Sequence, residues 1–193
     1  MMRIVTGSAR GVRLATLEGE ATRPTSERVK QAVFSSIQFN IEGRTVLDLF
    51  AGSGQMGLEA LSRGAASAMF VDSSAEAMDI VKTNIEKCRF GDRSRTLISD
   101  YRNYIRKAKG KYTFDLIFID PPYASGAATD AVKRCIESGL AAPGCIFVCE
   151  SSEASDAASV PEIAERVTVL KQTQYGRMTG VSILLLEPER KEG

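Results

Sequence analysis

Apolar positions along this chain recur in two alternating rhythms. Continuous apolar runs of strand length occupy residues 46–50, 68–71, 96–98, 114–119 and 145–149, and residues 57–63, 75–87, 101–107 and 128–137 carry helix-like spacing. Strand and helix in alternation require crossovers that return each strand parallel to the last. The pattern therefore predicts a doubly wound sheet covered on both faces. The rhythm changes near the end of the chain: residues 166–172 and 181–186 are β-rich, and the link between them is too short for a helical crossover. These two segments are expected to pair antiparallel.

The start of the chain has a different character. Residues 3–6 and 12–16 are β-prone and flank Gly7-Ser8-Ala9-Arg10-Gly11, which reads as a hairpin-like arm with Arg10 at its turn. Pro24-Thr25-Ser26 supplies a helix start, Val29, Ala32, Val33 and Ile37 share one helical face, and Gly43 stops the segment. The expected organisation is an arm over residues 1–24 and a main domain over residues 25–193. Residues 151–159 read as a surface loop and 188–193 as a charged, frayed tail.

Composition narrows the function classes. With 193 residues and 44% hydrophobic content the chain can bury a sizeable core but is short for two ordinary domains. A net charge of +1 gives no global polyanion signal, so a nucleic-acid surface has to come from local clustering. Such a cluster exists between Lys82 and Lys111, where ten Lys and Arg face only Glu86, Asp92 and Asp100, although a solvated helix face also explains it. The chain has no histidine, so any catalysis must use carboxylates, backbone groups or geometry. Cys88, Cys135, Cys145 and Cys149 lack metal or redox spacing and read as buried thiols in a reducing compartment, with no metal expected. No signal-like or membrane-length apolar run is present, which leads to the expectation of a cytoplasmic protein without a membrane partner.

Asp48-Leu49-Phe50-Ala51-Gly52-Ser53-Gly54 ends the first main-domain strand in a glycine-rich turn that opens a helix, at the edge where doubly wound folds bind ligands. The helix N-terminus favours an anionic group, and Asp48 favours an ammonium. Gly52-x-Gly54-x-x-Gly57 also satisfies a dinucleotide fingerprint, with Asp72 about twenty residues on, so the glycine motif does not by itself separate an amino-acid nucleoside from a dinucleotide. Asp72 suits ribose hydroxyls if Ser73 or Ser74 caps the next helix. Asp100 suits either an adenine amino group or the cap of the helix that follows it.

Asp120-Pro121-Pro122-Tyr123 follows the most continuous apolar run, Phe114-Asp115-Leu116-Ile117-Phe118-Ile119. An exocyclic amine on a base is a poor nucleophile because its lone pair conjugates with the ring. Accepting its two N–H groups on the Asp120 carboxylate and the Pro121 carbonyl favours a tetrahedral nitrogen, with the lone pair turned toward a methyl donor. Pro121 and Pro122 fix φ, and Tyr123 offers a ring on which a flipped-out base can stack. A diproline can also merely end a strand. A dinucleotide oxidoreductase has no evident use for this tetrapeptide, which separates the two cofactor readings.

With these motifs the sequence resembles the RsmD family of bacterial methyltransferases acting on guanine N2 in small-subunit ribosomal RNA. The likeness covers nearly the whole chain and includes Gly7-Ser8-Ala9-Arg10-Gly11, Arg23-Pro24-Thr25-Ser26-Glu27-Arg28-Val29 and Gly57-Leu58-Glu59-Ala60-Leu61-Ser62-Arg63-Gly64-Ala65. The resemblance implies a class I S-adenosylmethionine methyltransferase fold, Rossmann-like, with a mostly parallel seven-stranded sheet, a C-terminal antiparallel hairpin and a small N-terminal β-hairpin arm. On this reading Asp120, Pro121, Pro122 and Tyr123 are catalytic. Asp48, Phe50, Ala51, Gly52, Ser53, Gly54, Asp72, Ser73, Asp100 and Tyr101 hold S-adenosylmethionine, and Arg3, Arg10, Arg13, Arg23, Thr25 and Arg28 contact RNA. Ribosomal RNA or an assembling small subunit is the expected partner of a monomeric enzyme. The chain departs from the family pattern at Tyr175-Gly176-Arg177-Met178, where similar proteins usually carry a small polar residue. Alternatives are adenine N6 in DNA, a ribosomal protein amide, a dinucleotide-dependent oxidoreductase, or a binding module that keeps the pocket without catalysis.

Overall fold

In the computed structural model, residues 2–17, 24–122, 126–151, 157–176 and 179–188 are described. The chain divides into two compact units, Met1–Tyr101 and Arg102–Gly193. Among the described residues the strands run in the order β3-β2-β1 in the first unit and β4-β5-β7-β6 in the second, where β1 is Thr45–Asp48, β2 Ser67–Asp72, β3 Ser94–Ile98, β4 Phe114–Ile119, β5 Ala141–Ser151, β6 Val167–Tyr175 and β7 Thr179–Leu186. The helices are α1 (Pro24–Ile37), α2 (Gln55–Ser62), α3 (Ala75–Cys88), α4 (Tyr101–Ala108), α5 (Ala127–Glu137) and a short α6 (Pro161–Ala164).

In the first unit β1, β2 and β3 pair in parallel, as the alternation of elements predicts. Their core is built from side chains that water does not reach: Val46 and Leu47 of β1, Phe70 and Val71 of β2, Leu58 and Leu61 of α2, and Val81 of α3 are all fully buried. In the second unit β4 and β5 are parallel, and β5–β7 and β6–β7 are antiparallel, which fits the expected C-terminal pair. The expected strand over residues 145–149 starts later and ends earlier than β5, which runs Ala141–Ser151. Pro143 and Gly144 look like a break, yet the strand runs from Ala141 and the register against β4 shifts between Phe114 and Leu116. A bulge absorbs them: Gly144, at φ 79°, takes a left-handed conformation that re-aims the strand without ending it. α6 was not foreseen, and its Pro161 stands in the first turn, where the missing N–H costs nothing.

The N-terminal arm is a narrow hairpin. Arg3 and Arg13 form an antiparallel bridge, with Ile4 N–H to Val12 C=O at 3.0 Å, Gly11 N–H to Ile4 C=O at 2.9 Å and Leu14 N–H to Met2 C=O at 3.0 Å. Two strands alone are marginal in water, so something must hold them. Ile4 and Leu14 are buried, and the rest of the hold comes from α2. Val5 and Thr6 N–H donate to the two oxygens of Glu59 at 2.8 and 3.1 Å. Ser8 N–H donates to Ser62 C=O at 2.8 Å, and Ala9 N–H to Ser62 Oγ at 3.0 Å. Gly7 sits so close that an added Cβ would fall 1.8 Å from the Ser62 carbonyl oxygen, so no other residue fits there.

Glu59 is fully buried, and its charge is met by Arg63 Nε at 2.9 Å and by Lys30 Nζ at 3.7 Å. Lys30 is equally withdrawn from water and donates to Arg3 C=O at 2.7 Å. Burial pulls its ammonium below the usual lysine range, and Glu59 opposes that shift. Removing one partner of such a buried set strands the other. Glu59→Ala is therefore expected to destabilise the protein by about 3–5 kcal/mol, measured by urea denaturation, with faster amide exchange at Val5 and Thr6.

Candidate active site

The turn after β1 takes its shape from two glycines and two carboxylates. Gly52 and Gly54 have φ of 53° and 77°, a left-handed pair that only glycine adopts without strain, and Gly54 N–H closes onto Ala51 C=O at 2.6 Å. Asp72, at the end of β2, accepts Gly52 N–H on Oδ2 at 2.9 Å and Ser74 N–H on Oδ1 at 2.8 Å. Ser74 is the cap of α3, accepting Ala77 N–H at 3.2 Å, so the cap role that competed for Asp72 belongs to Ser74. Asp48, the last residue of β1, accepts Gly57 N–H on Oδ2 at 2.9 Å.

This arrangement bears on ligand type. In a dinucleotide site the turn's amides are kept for a pyrophosphate. Here Gly52 and Gly57 have already given their N–H groups to carboxylates, which would also repel a polyanion. The turn is rich in acceptors instead, and suits a ligand bearing a cation and hydroxyl groups.

Asp48 is 4% exposed, and desolvation pushes its carboxyl up to about 7, against the opposing bond from Gly57 N–H and with help from the charge on Asp72. Without a ligand, Asp48 therefore carries only part of its charge near neutral pH. A neighbouring ammonium would favour the ionised form. Phe50 and Tyr101 stack obliquely, ring centroids 5.1 Å apart and planes at 47°. Asp72 is half-buried, whereas Ser73 and Asp100 are exposed. Ala51 and Ser53 are buried, and the Ser53 hydroxyl donates to Met2 Sδ at 3.2 Å, within the protein.

In the second unit β4 delivers Asp120, Pro121 and Pro122. Leu116, Ile117 and Ile119 are fully buried, and the chain emerges at an exposed Asp120, a half-buried Pro121 and an exposed Pro122. Tyr123 lies outside the described residues.

The RNA candidates fall mostly on the arm and α1. Arg3, Arg10, Arg13 and Arg28 are exposed, and Arg3 Nε pairs with Glu27 at 3.4 Å. Arg23 and the side chain of Thr25 lie outside the described residues, as do Arg177 and Met178 of the loop that departs from the family pattern. One member of the basic run is structural: Arg93 donates to the carbonyls of Ala65 and Leu61 at 2.9 and 3.4 Å and lies over the Phe90 ring. All four cysteines are buried, and no metal-binding cluster occurs among the described residues. Nor is any described helix long and apolar enough to cross a membrane. Sequence reasoning missed Lys30, Glu59, Ser62 and Asn84, whose signal was a polar residue at a core-facing helical position.

A family model described as conserved hypothetical protein 95 matches residues 2–183. The chain belongs to this family, the RsmD family. Among its RsmD-family relatives, a candidate ribosomal RNA methyltransferase of Bacillus subtilis, YlbH, is 32% identical over 94% of this chain and 97% of that protein. Ribosomal RNA small subunit methyltransferase D of Haemophilus influenzae is 29% identical over 79% of each chain. A solved Escherichia coli structure, the candidate methyltransferase YhhF, superposes with a TM-score of 0.84 at 26% identity, covering 96% of this chain and 98% of that one.

The Asp48 proton has a measurable consequence. Because the folded-state value of about 7 lies above the unfolded value of 3.8, the protonated carboxyl contributes stability that is full below pH 3.8 and is lost as pH rises through 7. Asp48→Asn keeps an acceptor for Gly57 N–H without a buried charge. It is expected to raise the ligand-free melting temperature at pH 8 by on the order of 5 °C and to flatten its fall between pH 4 and 7, read by calorimetry.

Proposed function

We propose that this RsmD-family protein transfers a methyl group from S-adenosylmethionine to the N2 amine of a guanine in small-subunit ribosomal RNA. The observation that carries the reading is the acceptor-rich glycine turn, with its amides satisfied by Asp48 and Asp72, in a chain that brings Asp120-Pro121-Pro122 out at the end of β4. S-adenosylmethionine supplies an electrophilic methyl group on a sulfonium. Asp48 holds the ammonium of the cofactor's amino-acid part, Asp72 and Ser73 its ribose hydroxyls, and Asp100, Phe50 and Tyr101 its adenine. Gly52 and Gly54 let the backbone approach closely.

The chain's own contribution to the chemistry is positioning. The Asp120 carboxylate and Pro121 carbonyl accept the two N–H groups of the guanine amine, which turns the nitrogen lone pair toward the donor. Pro122 stiffens that carbonyl, and Tyr123 stacks on the base. The proton lost on transfer leaves from the nitrogen after the N–C bond forms, so no strong base is needed, consistent with a chain without histidine. Residues 1–24 act as an RNA-contacting arm on a methyltransferase domain of residues 25–193. Arg3, Arg10, Arg13, Arg23 and Arg28, with Thr25, hold phosphates of ribosomal RNA or of an assembling subunit. A cytoplasmic monomer without metal fits this role.

Three experiments test the reading. Asp120→Ala is expected to lower the methylation rate by about 100-fold or more while S-adenosylhomocysteine affinity, by calorimetry, changes less than about two-fold. Full activity in that variant would end the assignment of Asp120. Labelled methyl transfer to naked RNA and to small subunits from a strain lacking the enzyme, with mapping of the product, separates guanine N2 from adenine N6 or a protein amide. Arg10→Ala with Arg13→Ala is expected to weaken RNA binding at every sequence and to reduce its log–log salt slope by about two.

A further inference from the structure

Asn84 has no role in the proposed chemistry, yet its buried side chain makes three hydrogen bonds. It lies in the second half of α3 and is fully buried. Its Oδ1 accepts Ala15 N–H at 2.7 Å, and its Nδ2 donates to Ala15 C=O at 2.9 Å and to Ser53 C=O at 2.9 Å. The amide orientation follows from chemistry, since only the oxygen can accept the Ala15 N–H. Asn84 thus pairs with the arm as a neighbouring strand would, and uses its remaining N–H to hold the peptide carbonyl between Gly52 and Gly54.

The same serine is gripped from another side. Ser53 Oγ donates to Met2 Sδ at 3.2 Å, and Met2 C=O accepts Leu14 N–H at 3.0 Å, so the first strand of the hairpin meets the glycine turn directly at Ser53 and the second reaches it through Asn84. The other end of the hairpin is fastened to α2 through Glu59 and Ser62. A turn with two left-handed glycines has little conformational preference of its own, and the Ser53 peptide plane sets how its amides and carbonyls face a ligand. Ordering one side of Asn84 therefore lowers the entropic cost of ordering the other.

We propose that Asn84 is a positioning residue that couples the N-terminal arm to the cofactor turn, so that cofactor binding and arm ordering favour each other. The inference rests on the cofactor reading above. Where the arm holds RNA, it further means that RNA and cofactor bind with positive cooperativity, reciprocal in the two affinities.

Hydrogen exchange tests the coupling without using activity. In the intact wild-type chain, saturating S-adenosylhomocysteine is expected to slow exchange of the Ile4, Gly11, Leu14 and Ala15 amides by about five-fold or more. In Asn84→Asp, studied at a pH where the carboxylate is ionised so that it keeps the acceptor and loses both donors, the ligand still binds and the slowing at Ile4, Gly11 and Leu14 disappears. Met2→Leu conserves volume, removes the contact to Ser53 and should reduce the slowing, which keeps the test decisive if Asn84→Asp does not fold. Ligand bound by calorimetry with arm exchange unchanged in the wild type overturns the coupling and leaves the cofactor reading standing, as does full slowing in a folded Asn84→Asp. An arm that slows on ligand binding but shows no RNA affinity supports the coupling and removes the RNA reading instead.

Discussion

The glycine turn after β1 keeps its shape because carboxylates from the ends of two neighbouring strands accept its amide hydrogens. A backbone amide withdrawn from water needs a partner. Asp72 answers Gly52, and Asp48 answers Gly57. That choice of partner has a chemical result. Amides already bonded to carboxylates are not available to a pyrophosphate, and the remaining acceptor capacity of the two aspartates is suited to hydroxyl and ammonium groups. The same backbone pattern that reads as a dinucleotide fingerprint thereby becomes a site of opposite electrostatic preference.

A second set of buried polar groups ties the arm to that turn. Glu59 and Ser62 on α2 and Asn84 on α3 take up the backbone groups of a two-stranded hairpin that could not persist alone. Lys30 and Arg63 balance the Glu59 charge. Glu59, Ser62, Asn84 and Lys30 are buried, and Arg63 is half-buried. The arm therefore belongs energetically to the same unit as the cofactor turn, while its Arg10 and Arg13 remain exposed.

Much of this was legible from the order of residues. The alternation of apolar runs and helical spacing anticipates β1 to β5 and α2 to α5, because the period of apolar positions follows the geometry of each element. The link between β6 and β7 was too short to be anything but antiparallel. Asp48, Gly52, Gly54 and Asp72 were recognisable because glycines at tight spacing and acids at strand ends are local features. The bulge at Pro143 and Gly144 was not, since whether such a pair ends a strand depends on the strand beside it.

By itself the sequence determined the element types, the parallel-then-antiparallel character and the positions of the glycine turn and of Asp120-Pro121-Pro122, all properties of neighbouring residues. Only the tertiary structure decided where the buried hydrogen bonds go. Asn84 and Ser53 are 31 residues apart, and Glu59 and Val5 are 54 apart. Nothing local marks them as partners, because a polar side chain in a helix reads as solvated until the fold removes the water and leaves one set of backbone groups within reach.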